Sequence, residues 1–186
     1  MNSQKYWMDK MKENIKTTQL TAVLFIIYLI ALFWIIVLKL SVHFSYMGNV
    51  RRINLIPFSE SLILNGKLDF GEIIMNVLIF VPLGIYAGIL FKRWIVGKTL
   101  LLFFLISLIC EGFQYTLALG VFDITDLIDN TLGGIIGLMI YKGIEKVFKN
   151  SVKAQKFINI IATIGTILMI VLLFLLKMDK LWIRYH

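Results

Sequence analysis

Residues 99–141 read TLLLFFLISLICEGFQYTLALGVFDITDLIDNTLGGIIGLMIY. The stretch holds two apolar runs, 99–119 and 126–141, yet Glu111, Gln114, Asp126, Asp129 and Asn130 lie inside them. A hydrocarbon core of about 30 Å takes roughly 20 helical residues to cross, and both runs approach that length. A carboxylate or amide in that medium is expensive unless it is paired, protonated or wet. Neither run is therefore stable as an independent anchor. Each must turn its polar face toward other helices, so the stretch predicts a helical bundle inside a membrane.

The rest of the chain supplies the other helices. Upstream, 73–91 is apolar apart from Asn76 and carries Pro82, and 20–40 is apolar almost throughout; downstream, 157–176 is a third such run. The chain of 186 residues is 59% hydrophobic, above the roughly 45–50% of soluble domains. The expected fold class is all-α: a polytopic transmembrane bundle of about five spans. The organisation follows as a cytoplasmic segment 1–19, a first span 20–40, an external or interfacial segment 41–72, a three-span core 73–141, a basic cytoplasmic loop 142–156, and a fifth span with its tail, 157–186. The 20–40 run is longer than a signal-peptide core and no small-residue cleavage site follows it, so it reads as a retained span. Part of the external segment, 53–64, is too apolar for a solvated loop and is expected to lie on the interface or re-enter the bundle, with Pro57 shaping it. Cys110 is the only cysteine and cannot form an intrachain disulfide.

Charge gives the orientation. The net charge is +8, which in a soluble protein would suggest nucleic acid. Here the basic residues flank apolar spans, where orientation and anionic lipid explain them, so nucleic acid is not an expected partner and membrane lipid is. With the N-terminus inside, the inner segments hold Lys5, Lys10, Lys12, Lys16, Lys92, Arg93, Lys98, Lys142, Lys146, Lys149, Lys153 and Lys156, twelve of the 19 basic residues. The outer side receives Lys39, Arg51, Arg52, Lys67, Lys177, Lys180 and Arg184. The excess predicts a cytoplasmic N-terminus and places 120–125 outside as a turn.

On that topology the polar residues converge. At 1.5 Å per residue, Asn76, Asp129 and Asn130 lie about 5 Å below the outer ends of their spans, Gln114 about 8 Å and Glu111 about 12 Å. Glu111 and Gln114 are i, i+3 on one face. Asp123, Asp126, Asn130 and Gly133 fall on one helical stripe that Asp129 borders. Gly133 and Gly137 form a small-xxx-small pair that lets another helix approach. Pro82 and Gly84 read with them as packing devices, Pro82 freeing the carbonyl of Leu78. Asn76 and Gln114 read either as interhelical hydrogen-bond glue or as ligand contacts. Asp123 reads as a turn or helix-start residue or as an acceptor, and Asp126 as an N-cap or an acceptor. Glu111 is the hardest to explain as packing, because an intramembrane acid defaults to function. The polar residues are nearly confined to the outer half, which argues against a proton or cation pathway across the bilayer. No nucleotide, nucleophile or His/Cys motif occurs and no cofactor is expected. A carboxylate cluster of Glu111, Asp123, Asp126 and Asp129 could hold Mg²⁺ or Ca²⁺ through oxygen ligands, with Asp123 and Asp126 the weak candidates for it.

Four motifs in order carry a resemblance: NLIPF at 54–58, NVLIFVPLG at 76–84, EGFQ at 111–114 and FDITDLIDNTLGG at 122–134. In order and spacing they resemble the VanZ-like family of bacterial membrane proteins, over residues 50–141, about half of the chain. Where many members have an arginine before the Phe-Asp pair, this chain has Gly120-Val121, so that arginine's role is absent or falls to Arg51 or Arg52. The resemblance implies a role at the cell envelope, lowering susceptibility to lipoglycopeptides such as teicoplanin. Two functions are compatible with it. In one, an outer-leaflet cavity binds a lipid-linked cell-wall precursor or the acylated antibiotic without catalysis. Asn54, Asn76, Gln114 and Asn130 would supply amide bonds, Glu111, Asp123 and Asp126 acceptors, and Arg51 and Arg52 would pair with phosphate. In the other, the protein is a membrane enzyme that hydrolyses or transfers groups on a lipid-linked (pyro)phosphate, with Glu111 as general acid or base and Asp123 and Asp126 on a divalent cation. Glu111→Gln and metal dependence separate the two. The non-catalytic function is the one expected.

Overall fold

A computed structural model describes residues 3–37, 50–58 and 70–177. The remaining parts of the external segment, including Lys67 and 59–64, and the tail 178–186 lie outside the described residues, as does the side chain of Arg51. In chain order the elements are α1 Ser3–Val37, β1 Val50–Asn54, α2 Gly71–Leu90, α3 Val96–Thr116, β2 Leu119–Asp123, α4 Ile124–Phe148 and α5 Ser151–Lys177. The fold is all-α in the main, with two short strands at one end.

Among the described residues four helices are long and apolar enough to cross a membrane: Gln4–Val37, Gly71–Leu90, Val96–Thr116 and Ser151–Val171. The fifth helix, α4, is as long, but Asp126, Asp129 and Asn130 in its first two turns dilute its apolar character. Instead of facing lipid along its length, it buries Leu127, Asp129, Asn130, Gly133, Gly134, Gly137 and Tyr141. Apolar residues cover the outside of the bundle; Ile164, Ile167 and Ile170 of α5 are each more than half exposed. In a bilayer that surface meets hydrocarbon, and cohesion inside comes from close packing and hydrogen bonds rather than from water exclusion.

The tightest contact joins α2 to α4, and small residues make it possible. A Cβ on Gly84 would meet the backbone carbonyl of Gly134 and lie 2.6 Å from the Leu138 nitrogen. One on Gly137 would meet the Val81 carbonyl, and one on Gly133 the Val77 carbonyl and Phe80. The expected small-xxx-small face is thus where α2 seats. Gly134 receives the Phe103 ring, 2.6 Å from where its Cβ would stand, and so brings α3 in on the neighbouring face. Phe80, Leu83 and Ala87 of α2, Phe103 and Cys110 of α3, and Leu32, Ile36 and Val37 of α1 form the apolar core. Pro82 lies inside α2 without ending it. Next to it the Tyr28 hydroxyl donates to the carbonyl of Ile79 at 2.8 Å, one residue on from the carbonyl that Pro82 was expected to free.

Three expectations need correcting. The turn 120–125 is replaced by β2, which pairs in parallel with β1: Val50 opposite Leu119, Arg51 opposite Gly120, Arg52 opposite Val121, Ile53 opposite Phe122 and Asn54 opposite Asp123. A parallel pair needs a long crossover, here supplied by α2 and α3. The basic stretch 142–156 is mostly helix, because α4 runs on to Phe148 and α5 begins at Ser151. Only Lys149, in the left-handed conformation that closes a helix, and Asn150 separate them. Asn150 caps α5 by accepting from Val152 and Lys153 N–H. Finally, polar residues are not confined to one half. Thr21 of α1 donates to Asn159 Oδ1 of α5 at 2.9 Å and accepts from Gln155 Nε2 at 2.7 Å, and Asn159 Nδ2 reaches the Thr17 carbonyl. All of Thr21, Gln155 and Asn159 are buried. This satisfied cluster, with the Lys156–Glu13 ion pair beside it, fastens α5 to α1 at the lysine-rich end.

Candidate functional site

The two strands meet the helices at Asp123. Its extended backbone closes β2 and makes it the N-cap of α4, with Oδ1 accepting from Thr125 N–H at 2.7 Å. Capping therefore falls on Asp123 and not on Asp126. Asp123 also leaves the expected stripe, because a residue with extended backbone is not part of the helix. Its other oxygen accepts from Asn54 Nδ2 at 3.0 Å, which pins the last residue of β1 to the last residue of β2. Its amide faces Glu111 Oε2 at 3.4 Å. Asn54 folds the following chain as well, through Oδ1 and Ile56 N–H at 3.1 Å. Phe58 N–H then donates to Thr125 Oγ1 at 3.0 Å. The NLIPF segment and the FDIT segment are thus tied together by their own side chains, which explains why both motifs are polar at those positions. An isolated two-stranded sheet is marginal, and these bonds hold its end.

A second pair lies on the α2 side. Asn76 Nδ2 donates to Asp126 Oδ1 at 2.6 Å, both residues half-buried. Deeper, Asn130 Nδ2 donates to Ser107 Oγ at 2.9 Å, joining α4 to α3. Ser107 and Glu111 are i, i+4 on α3, so the Asn130 and Asp123 contacts fall on one face of that helix. Glu111, Asn130, Ser107 and Thr125 are all at most 1% exposed. Glu111 and Asn130 consequently occupy the same α3–α4 interface. Gln114 goes elsewhere: its Nε2 donates to the carbonyl of Ile36 at 2.9 Å and ties α3 to the end of α1. That is interhelical glue, one of the two alternatives for it. Arg52 is exposed on β1, and its backbone lies opposite Val121, with Arg51 opposite Gly120. Pro57 is exposed in the turn between β1 and the Thr125 contact.

Two participants escaped sequence reasoning: Ser107 and Thr125 are fully buried and bonded within the site. Asp129, placed by the sequence among the converging polar residues, is buried as well. Ser107 stands one turn before Glu111, and that spacing was the available signal. Among the described residues no group of three or more His, Cys, Asp or Glu is placed to share a metal ion. Asp123 and Asp126, the weak metal candidates, are instead engaged with Asn54 and Asn76 respectively.

The site sits far from most of the lysines. Helix α3 begins at Val96, beside Lys92, Arg93 and Lys98, and ends at Thr116, beside the sheet. At 1.5 Å per residue these ends are about 30 Å apart. Comparison with known proteins adds the following. A sequence model of the family described as VanZ/LLP1 matches residues 25–149, which include every site residue above. Protein VanZ of Enterococcus faecium is 33% identical over 149 residues, 79% of this chain and 86% of that protein. No solved structure matches.

Proposed function

The chain belongs to the VanZ/LLP1 family and is a multi-pass membrane protein, and from that premise we propose that it lowers the susceptibility of a bacterial cell to lipoglycopeptides such as teicoplanin by binding, without catalysis, at the sheet-capped end of the bundle. That end faces outward, the N-terminus lies in the cytoplasm, and the ligand is the acylated antibiotic or a lipid-linked cell-wall precursor. The observation that carries this reading is the burial of Glu111, Asp123, Asn130 and Ser107 together between α3 and α4. Two buried hydrogen-bonded pairings on one interface, Asp123 with Glu111 and Asn130 with Ser107, at the end away from most of the lysines, build a polar lining that hydrocarbon alone would not require. The exposed Arg52 beside it suits a phosphate or carboxylate arriving from the aqueous side. An acyl chain concentrates such a ligand in the leaflet, by about 0.8 kcal/mol per buried methylene.

The test is protection of a susceptible host. Expression raises the inhibitory concentration of teicoplanin more than that of a glycopeptide without an acyl chain. Glu111→Ala and Asn130→Ala each remove the difference while immunoblotting shows normal amounts in the membrane fraction, whereas Glu111→Gln, which keeps the shape and loses only the titrating group, retains it. Equal protection against both drugs, or full protection from the double variant, would sink the proposal. Protection that requires divalent cation and yields a cleaved lipid-linked pyrophosphate would replace binding by the enzymatic alternative.

A further inference from the structure

Two acceptor oxygens in the site have no hydrogen-bond partner among the described residues: Oδ2 of Asp129 and Oδ1 of Asn130. They belong to consecutive residues, 3% and 0% exposed. The amide nitrogen of Asn130 donates to Ser107 Oγ, and its oxygen stands on the other side of the same amide. Buried acceptors are seldom left unpaired, and two on consecutive residues of α4 call for donors that the described residues do not supply.

Asp129 lies close enough to Asp123 and Glu72 to feel both carboxylates. Asp129 also has a direction of approach. It follows Thr125 by four residues on α4 and therefore lies one turn beneath the point where Phe58 N–H meets Thr125 Oγ1. Phe58, which makes that contact, and the preceding Leu55 to Pro57 are exposed.

We propose that Asp129 and Asn130 receive the ammonium group of an amine-bearing amphiphile, which donates hydrogen bonds to their two unpartnered oxygens. This deepens the binding function above and rests on it only in taking this face as open to a ligand. An ammonium presents three donors and no acceptor, which matches two orphaned acceptors, and its charge answers the carboxylates. A hydroxyl brings one donor and no charge. A hard divalent ion takes six to eight oxygens, and the described carboxylates are not gathered for that.

The experiment uses the full-length protein in phosphatidylglycerol nanodiscs, titrated calorimetrically with dodecylamine, dodecanol and dodecyltrimethylammonium, with empty discs subtracted. Wild type binds dodecylamine saturably and about tenfold more tightly than the other two, the scale of one charge-assisted hydrogen bond. The quaternary ion carries the same charge without an N–H, so it isolates the donor requirement. Asp129→Asn keeps shape and folding and loses that selectivity. Adding phosphatidylethanolamine to the discs separates the sources: displacement of dodecylamine assigns the amine to a lipid headgroup, and unchanged binding assigns it to a free amphiphile. Equal binding of all three probes to wild type overturns the proposal, and so does saturable Ca²⁺ or Mg²⁺ binding that Asp129→Asn abolishes. The wild-type selectivity series needs no variant to fold. Failure of glycopeptide protection with intact amine selectivity would count against the functional proposal alone. The reverse would count against the amine alone.

Discussion

Asp123 serves four elements from one position. Its carboxylate caps α4 and holds Asn54 of β1, and its amide, at the end of β2, meets Glu111 of α3. Removing one partner of such a set leaves the others buried and unpaired, at about 1–3 kcal/mol per orphaned group. Asn54→Ala should therefore lower stability by about that much, read as a fall in melting temperature of the detergent-solubilised protein. Asn76→Ala should cost less, because Asn76 and Asp126 are half-buried and water can take over. Equal losses at the two positions would mean that burial does not set the cost. These amides were legible in the sequence as polar residues misplaced in apolar runs, and Glu111 and Asn130 were legible in the same way. Ser107 and Thr125 were not, since small hydroxyl residues satisfy themselves on their own helix backbone and occur throughout membrane helices. The identity of the partners was not legible either. Gln114 shares a face with Glu111 by spacing, yet it spends its amide on α1.

At the scale of elements, glycine positions decide which helices touch. Gly137 admits the Val81 carbonyl, whereas a Cβ at Gly143, on the same helix, meets nothing within 4 Å. Gly137→Val should force α2 and α4 apart and cost about 3 kcal/mol or more. Gly143→Ala should be neutral or stabilise by up to about 1 kcal/mol, since it removes chain freedom without a clash. Thermal unfolding of both variants in one detergent makes the comparison, and similar behaviour would mean that the α2–α4 crossing is not close-packed. The sequence shows this face because small residues four apart have one common use in membrane helices. It does not show the sheet. Asn54 and Asp123 are 69 residues apart, and five-residue parallel strands carry no local periodicity that distinguishes them from an interfacial loop. The α1–α5 cluster was missed for a different reason. Thr21 and Asn159 stand at the very start of their apolar runs, where a polar residue reads as a boundary and not as a buried contact. Matching their depths from the lysine-rich end would have paired them.

The whole molecule is polarised, and function depends on which way it stands. One end carries the α2–α3 and α4–α5 connections with their lysines and the Lys92–Glu145 and Lys156–Glu13 pairs. The other carries the sheet, Arg52 and the carboxylates. Sheet edges cannot face hydrocarbon, so β1 and β2 belong at the membrane boundary or under protein cover, with the helices crossing from there. Basic residues keep to the cytoplasmic side, so the sheet end should face outward. Thiol labelling in intact cells tests this. Thr125, in the stretch that reads as an external turn, is fully buried and makes a poor reporter. Arg52, exposed on β1, is a good one, and Lys149, exposed between α4 and α5, is its counterpart. In a Cys110→Ala background, chosen because Cys110 packs in the apolar core, Arg52→Cys should react with a membrane-impermeant maleimide on whole cells. Lys149→Cys should react only after lysis. The opposite pattern would turn the carboxylates toward the cytoplasm, away from any antibiotic or cell-wall precursor in the outer leaflet, and the binding proposal would lose its ligand whatever the chemistry of the site.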